Sequence, residues 1–246
     1  MLAGRMKQVN GGVARNLADA LGRLGHNVRF MSVVGGDSAG QSILESLRHI
    51  GTDYVTVFKD IPTSWCVVLQ NPQGDCVACI GDMACHRQIS VDMIKKNIDL
   101  LYQSPLVVVD GNVPADVIDF VVRFCNEENI PVYFETTDIA VAARTFQTDT
   151  WKGLSFISPN LNELGRISEV LKNEEARVNY AIKVSVKGDD DDDIMNSSKD
   201  VVRKLISHIP VVMLASRQPD DTVSMVHYPA YAVDTPVVSV SGAGDW

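Results

Sequence analysis

Pro105-Leu106-Val107-Val108-Val109-Asp110-Gly111-Asn112 decides the architecture: a short β-branched run ends on a carboxylate and a glycine turn, and a helical pattern from Ala115 to Glu128 follows. The same alternation recurs. Strands are expected at Leu106 to Asp110, Val132 to Glu135, Leu154 to Ser158, Val211 to Ala215 and Val237 to Val240. Helices are expected between them at Ala115 to Glu128, Ile139 to Phe146, Leu161 to Lys172 and Ser198 to His208. Such an alternation predicts a mostly parallel sheet with helices on both faces, a three-layer α/β/α fold. Ligands of open α/β sheets bind beyond the carboxyl ends of the strands. Those ends carry Asp110 with Asn112, Glu135 with Thr137 and Asp138, Asn160 with Glu163, and Asp245.

The last strand runs into Ser241-Gly242-Ala243-Gly244-Asp245-Trp246. Gly242 and Gly244 lack Cβ atoms, so a turn here lets backbone N–H groups converge on one anion, with Asp245 beside it as a base. A strand, a glycine turn and an acid suit phosphoryl transfer, in which backbone donors hold developing charge while a carboxylate takes a proton from an attacking hydroxyl.

With 246 residues, 46% of them hydrophobic, the chain can bury one large core without needing several domains. The formal charge of -9 argues against nucleic acid and against an anionic membrane surface, both of which call for a basic footprint. A small-molecule ligand fits better. No apolar run approaches the ~20 residues of a membrane span, and Met1 to Lys7 lacks a secretory h-region, so a cytosolic setting is expected. Five irregularly placed cysteines read as reduced thiols. Cys76, Cys79, Cys85 and His86 invite a zinc reading, but a strand through Val77 to Ile80 would point residues three apart to opposite faces.

Towards the N-terminus a Gly11-Gly12 turn precedes a helix from Val13 to Leu24, a strand from Val28 to Val33 ending in Gly35-Gly36-Asp37, and a helix from Gln41 to His49. Thr52 to Lys59 and Ser64 to Ile80 suggest an antiparallel hairpin broken at Asn71-Pro72-Gln73-Gly74, a projecting element suited to a lid over residues 52–80. Asp189 to Asp193 reads as a solvated acidic loop, with cation binding as the alternative. Asn160-Leu161-Asn162-Glu163 is equally a helix start with a capping-box pattern, and Asp110 equally a turn cap. The five histidines form no triad or metal spacing.

Taken together, Gly11-Gly12-Val13-Ala14-Arg15-Asn16, Val34-Gly35-Gly36-Asp37-Ser38-Ala39-Gly40, Asn160-x-x-Glu163 and Gly242-Ala243-Gly244-Asp245 resemble the PfkB-type, ribokinase-like carbohydrate and nucleoside kinases over nearly the whole chain. Gly81-Asp82-Met83, Asp110-Gly111-Asn112 and Phe134-Glu135-Thr136-Thr137-Asp138 narrow the resemblance to pseudouridine kinases. It implies a ribokinase-like fold with a small β lid and an enzyme using ATP and Mg²⁺ on a ribosyl 5′-hydroxyl. By resemblance, Asp245 is the base, and the N–H groups of Gly242, Ala243 and Gly244 are the anion hole. Gly11, Gly12, Asn16, Asp110, Asn112 and Thr137 meet the sugar or nucleoside. Asn160, Glu163 and Ser216 face the nucleotide, Glu163 touching Mg²⁺ through water.

The chain also departs from the family's pattern. Members usually begin with a strand bearing a sugar-binding Asp and continue past the final Asp into a helix and an adenine-contacting segment. The resemblance therefore implies a chain shortened at both ends, for which weak or absent turnover, low stability and self-association, including a homodimer, are expected. Ala215-Ser216-Arg217-Gln218-Pro219 stands where a glycine-bearing nucleotide turn is usual, and Val141 where a Lys often falls. A kinase for ribose or another nucleoside and a non-catalytic remnant are the competing readings.

Overall fold

The computed structural model describes residues 4, 6–71, 76–175, 211–212, 215–217 and 223–225. The expected segments Val237 to Val240, Ser198 to His208, Asp189 to Asp193 and Ser241 to Trp246 lie outside the described residues. The described chain separates into two compact units, residues 4–90 and 91–225.

The first unit opens with helix α1, Val13–Arg23, whose N-cap Gly12 takes φ +103°, a conformation open to glycine at little cost. Strand β1, Ser32–Gly35, pairs in parallel with β2, Val55–Phe58, and helix α2, Ser38–Ser46, follows β1 directly. Ala18, Phe30, Val34, Leu47 and Val55 form the core between them. The strand expected at Val28 to Val33 is shifted to Ser32–Gly35, because its described pairing partner begins only at Val55. Helix α2 starts three residues before the expected Gln41, because Asp37 caps it. Strands β3, Trp65–Gln70, and β4, Cys76–Asp82, make an antiparallel hairpin with a register shift at Leu69/Gln70. The Thr52 to Lys59 stretch is thus no arm of the hairpin. It pairs with β1 instead, and the antiparallel hairpin covers residues 65–82.

In the second unit two short helices, α3 (Val91–Lys96) and α4 (Ile98–Tyr102), precede strand β5, Val107–Asp110. Helix α5, Ala115–Glu127, then leads to strand β6, Val132–Glu135, and onward to strand β7, Phe156–Ile157. Helix α6, Leu161–Glu175, and strands β8 (Val211–Val212), β9 (Ala215–Arg217) and β10 (Val223–Met225) complete the described elements. The sheet order is β10-β9-β8-β7-β6-β5, parallel from β5 to β8 and antiparallel at β9 and β10. One strand was expected across Val211 to Ala215; instead the chain reverses, and Ala215 pairs back onto Val212.

Val117, Ile118, Val121 and Val122 bury one face of α5, and Phe134, Phe146 and Trp151 pack edge-on and tilted in the core with neighbouring ring centroids 6.3 and 5.8 Å apart. The helix expected at Ile139 to Phe146 is a run of turns ending in the 3₁₀ segment Thr145–Gln147. Asp138 Oδ1 accepts the Ala140 N–H at 2.7 Å, a local bond that competes with the helical ladder, and Ile139, Val141 and Thr145 are β-branched. Among the described residues no helix is long and apolar enough to cross a membrane.

Gly165 lies inside α6, and a Cβ there would meet nothing within 4 Å. Gly165→Ala is therefore expected to stabilise the protein by about 0.5–1 kcal/mol, read from urea unfolding, since it adds helix propensity without a clash. A destabilised variant would contradict a regular helix at that point.

Candidate active site

In the second unit the carboxyl ends of three parallel strands gather polar side chains. Asp110 and Glu135 are register partners on β5 and β6. Beyond β5 the Asp110 carboxylate accepts the Asn112 N–H at 2.8 Å, while the Gly111 N–H is shared between Glu135 O and Thr137 Oγ1, both 2.9 Å away. Arg144 Nη1 donates to Gly111 O and Val113 O at 3.0 and 3.1 Å, holding the same loop from the other side. Thr137 is held at φ +70°, a left-handed conformation that is costly for a β-branched residue. A Cβ on Gly111 would stand 2.9 Å from Val141 and 3.0 Å from Thr136 O, so glycine is needed where the two loops touch. Asp110, Asn112 and Thr137 therefore belong to one small, tied cluster.

A second cluster begins α6. Glu163 N donates to Asn160 Oδ1 at 3.0 Å and Asn160 N to Glu163 Oε2 at 2.9 Å, the reciprocal capping box that the N-x-x-E spacing predicts. Thr136 Oγ1 adds a 2.6 Å bond to the same Oε2. Both bonds to the carboxylate end on Oε2. Thr136 and Glu163 are buried, and a buried carboxylate held by two donors has a fixed direction. Thr136 is a positioning residue that sequence patterning missed.

Between the clusters, Tyr133 Oη donates to Glu135 Oε2 at 2.8 Å and also contacts Ser158 Oγ. Burial, reinforced by the Glu135 carboxylate, pushes the Tyr133 hydroxyl up to about 12, so it stays protonated and donates throughout the neutral range. Thr136→Val should cost about 1.5–3 kcal/mol in urea unfolding because it strips a donor from a buried carboxylate, whereas Thr136→Ser should keep most of the parent's stability. Equal losses in the two variants would remove the bond to Glu163 as the cause.

Of the first unit's expected residues, Gly11 and Gly12 are exposed just before α1, and Asn16 sits in its first turns, its N–H on Gly12 O at 2.8 Å and its side-chain oxygen against Arg15. Ser216 lies in β9, where it pairs with Val211 and Ser224. Gly242, Ala243, Gly244 and Asp245 lie outside the described residues.

Asp37 has a structural task that sequence reasoning did not assign. Its Oδ1 accepts the Gly40 N–H at 2.8 Å and the Thr63 hydroxyl at 2.5 Å, its Oδ2 accepts the Thr63 N–H at 2.8 Å, and Thr63 Oγ1 accepts the Gly35 N–H at 2.9 Å. The Thr63 hydroxyl first, and the backbone donors after it, hold the Asp37 carboxyl below its ordinary value. A depressed carboxyl contributes stability above its unfolded pKa of about 3.9, and that contribution is lost as pH falls through the folded value. Thr63→Val, which also orphans the buried Gly35 N–H, should cost about 1–3 kcal/mol near pH 7, with the gap to the parent narrowing below about pH 4. A gap that widens in acid would reverse the sign assigned to Asp37.

The sequence model described as pfkB family carbohydrate kinase matches residues 1–246. An uncharacterized sugar kinase of Escherichia coli (strain K12) is 30% identical over 128 residues, 51% of this chain and 35% of that protein. The pseudouridine kinase of the same organism is 28% identical over 135 residues, 54% of this chain and 42% of that protein. The aligned stretches thus cover less than half of each of these curated relatives. Among solved structures, the Arabidopsis thaliana ribokinase complexed with ribose and ATP aligns with a TM-score of 0.67 at 17% identity, covering 96% of this chain and 71% of that one. That likeness shows a ribokinase-like α/β fold. Since the family's pattern runs through both units and the parallel strands carry their carboxylates at one rim, the chain belongs to the pfkB family of carbohydrate kinases.

Proposed function

We propose that the chain transfers the γ-phosphoryl group of ATP to a ribosyl 5′-hydroxyl, with pseudouridine as the acceptor. The observation that carries this reading is the Asn160–Glu163 box at the start of α6, locked by Thr136, beside the Asp110–Asn112–Thr137 cluster at the strand ends. Both offer oxygen donors and backbone amides suited to hydroxyls, phosphates and a hydrated hard cation. Likeness to a pseudouridine kinase favours that acceptor.

Mg-ATP supplies the phosphoryl group and part of the charge neutralisation. Every other task falls to the chain. Asp245 takes the proton from the 5′-hydroxyl as its oxygen bonds to phosphorus, and the N–H groups of Gly242, Ala243 and Gly244 receive the developing negative charge. By the family resemblance, Gly11, Gly12 and Asn16, and likewise Asp110, Asn112 and Thr137, would bind ribosyl hydroxyls. Asn160 and Ser216 face the nucleotide. Among the described residues no three His, Cys, Asp or Glu side chains converge to grip an ion directly. Glu163, with a fixed buried carboxylate, suits contact with Mg²⁺ through its water shell. The hairpin of β3 and β4 exposes Trp65, Val67, Leu69 and Ile80 and would serve as the lid.

Incubating the protein with ATP, Mg²⁺ and a panel of pseudouridine, uridine, adenosine, inosine and ribose, with acceptor phosphorylation read by mass spectrometry, tests the proposal. Pseudouridine should be phosphorylated fastest. Preferential phosphorylation of ribose would move the acceptor to the reading favoured by the ribokinase-like structure, and no transfer to any acceptor would favour a non-catalytic role.

A further inference from the structure

Two thiols approach each other across the β3–β4 hairpin. The Sγ atoms of Cys66 and Cys79 are 2.7 Å apart, within about 0.7 Å of the ~2.04 Å length of a disulfide bond. The register explains the approach. Cys66 pairs with Gly81 and Cys79 with Val68, so the two cysteines are diagonal neighbours on one face of the hairpin. Gly81 presents no side chain opposite Cys66, and a Cβ there would lie 2.7 Å from Trp65 O, so the position is closed to larger residues. The Cys66 side chain can therefore lean towards Cys79 without competition. Both thiols are exposed, whereas Cys85 and Cys125 are buried.

We propose that Cys66 and Cys79 form a dithiol modification site on the hairpin, closed to a cross-strand disulfide by small-molecule disulfides of the glutathione type. One thiolate attacks the oxidant's S–S bond, giving a mixed disulfide and releasing one equivalent of thiol. The second protein thiol then loses its proton and attacks the first protein sulfur, expelling the other equivalent. Two protein thiols are oxidised, one small disulfide is reduced to two thiols, and the balance closes. The two buried thiols are poor nucleophiles: burial raises the Cys85 thiol and lifts Cys125 to about 11, which keeps both protonated at neutral pH. A bond between residues 66 and 79 would pin the strand register over Trp65 to Leu69, ahead of the bulge at Leu69/Gln70.

The test is to incubate the folded full chain with oxidised glutathione, quench with an alkylating agent and map peptides without reduction. The expected product carries a Cys66–Cys79 link and has lost two hydrogens in intact mass, while Cys66→Ser and Cys79→Ser each stop at the mixed disulfide with glutathione. A link to Cys76 in place of this pair, a stable mixed disulfide in the parent protein, or no reaction at either thiol would each overturn the proposal.

Discussion

Asp245→Asn is expected to lower kcat by on the order of 10²-fold or more while leaving the KM for the nucleoside nearly unchanged, in the assay that detects transfer. The 5′-hydroxyl must shed a proton as its oxygen bonds to phosphorus, and a carboxylate placed beside it lowers the barrier only at that moment. Asparagine has the same shape and still accepts a hydrogen bond from the hydroxyl, so the bound ground state is preserved. It cannot take the proton. A hundredfold loss corresponds to about 2.7 kcal/mol of transition-state stabilisation, within the usual reach of a general base. Residues that only hold the sugar should behave differently, so Asn112→Ala is expected to act mainly on KM. Steady-state kinetics separates the two patterns. An Asp245→Asn variant turning over within about twofold of the parent would remove Asp245 as the base, because no general-base contribution is that small.

Much of the second unit was legible because its strands are short β-branched runs closed by turn signals. Val107–Asp110, Val132–Glu135 and Ala115–Glu127 fall within one residue of expectation, and Asn160 marks the start of α6 by its capping chemistry. Pairing partners were not legible in the same way. Val55–Phe58 has the composition of a hairpin arm, and only the tertiary fold reveals that it pairs in parallel with Ser32–Gly35. The Ile139 to Phe146 pattern looked helical from its apolar spacing, yet the Asp138 carboxylate and β-branched neighbours settle it into turns. Within the site, the Asn160–Glu163 box is written at a spacing of three residues. The bond from Thr136 joins positions 27 apart, and a buried threonine after a strand carries no pattern that announces it.

Gly40→Ala should destabilise the protein by about 3 kcal/mol or more, among the largest losses a single methyl group can cause. Gly40 lies in the first turn of α2, where a Cβ would fall 2.1 Å from the carbonyl oxygen of Gly35 and 2.9 Å from Thr63 Oγ1. The first of these is backbone of β1 and cannot rotate away. Relief requires α2 to draw back from β1, and that motion pulls the Gly40 N–H from Asp37 Oδ1 and strains the bonds from Thr63 to the same carboxylate. Overpacking alone costs about 1–3 kcal/mol, and the weakened cap and hydrogen bonds add to it. Against a typical domain stability of about 5–15 kcal/mol, the variant should unfold at markedly lower urea. Gly165→Ala, with open space for its methyl, is expected to shift the midpoint the other way, which separates local crowding from a general effect of replacing glycine. A Gly40→Ala protein within about 0.5 kcal/mol of the parent would show that strand and helix are not in contact there. The expected loss would instead mean that Gly35, Asp37 and Gly40 are set by the close approach of β1 and α2, which assigns these three positions to packing.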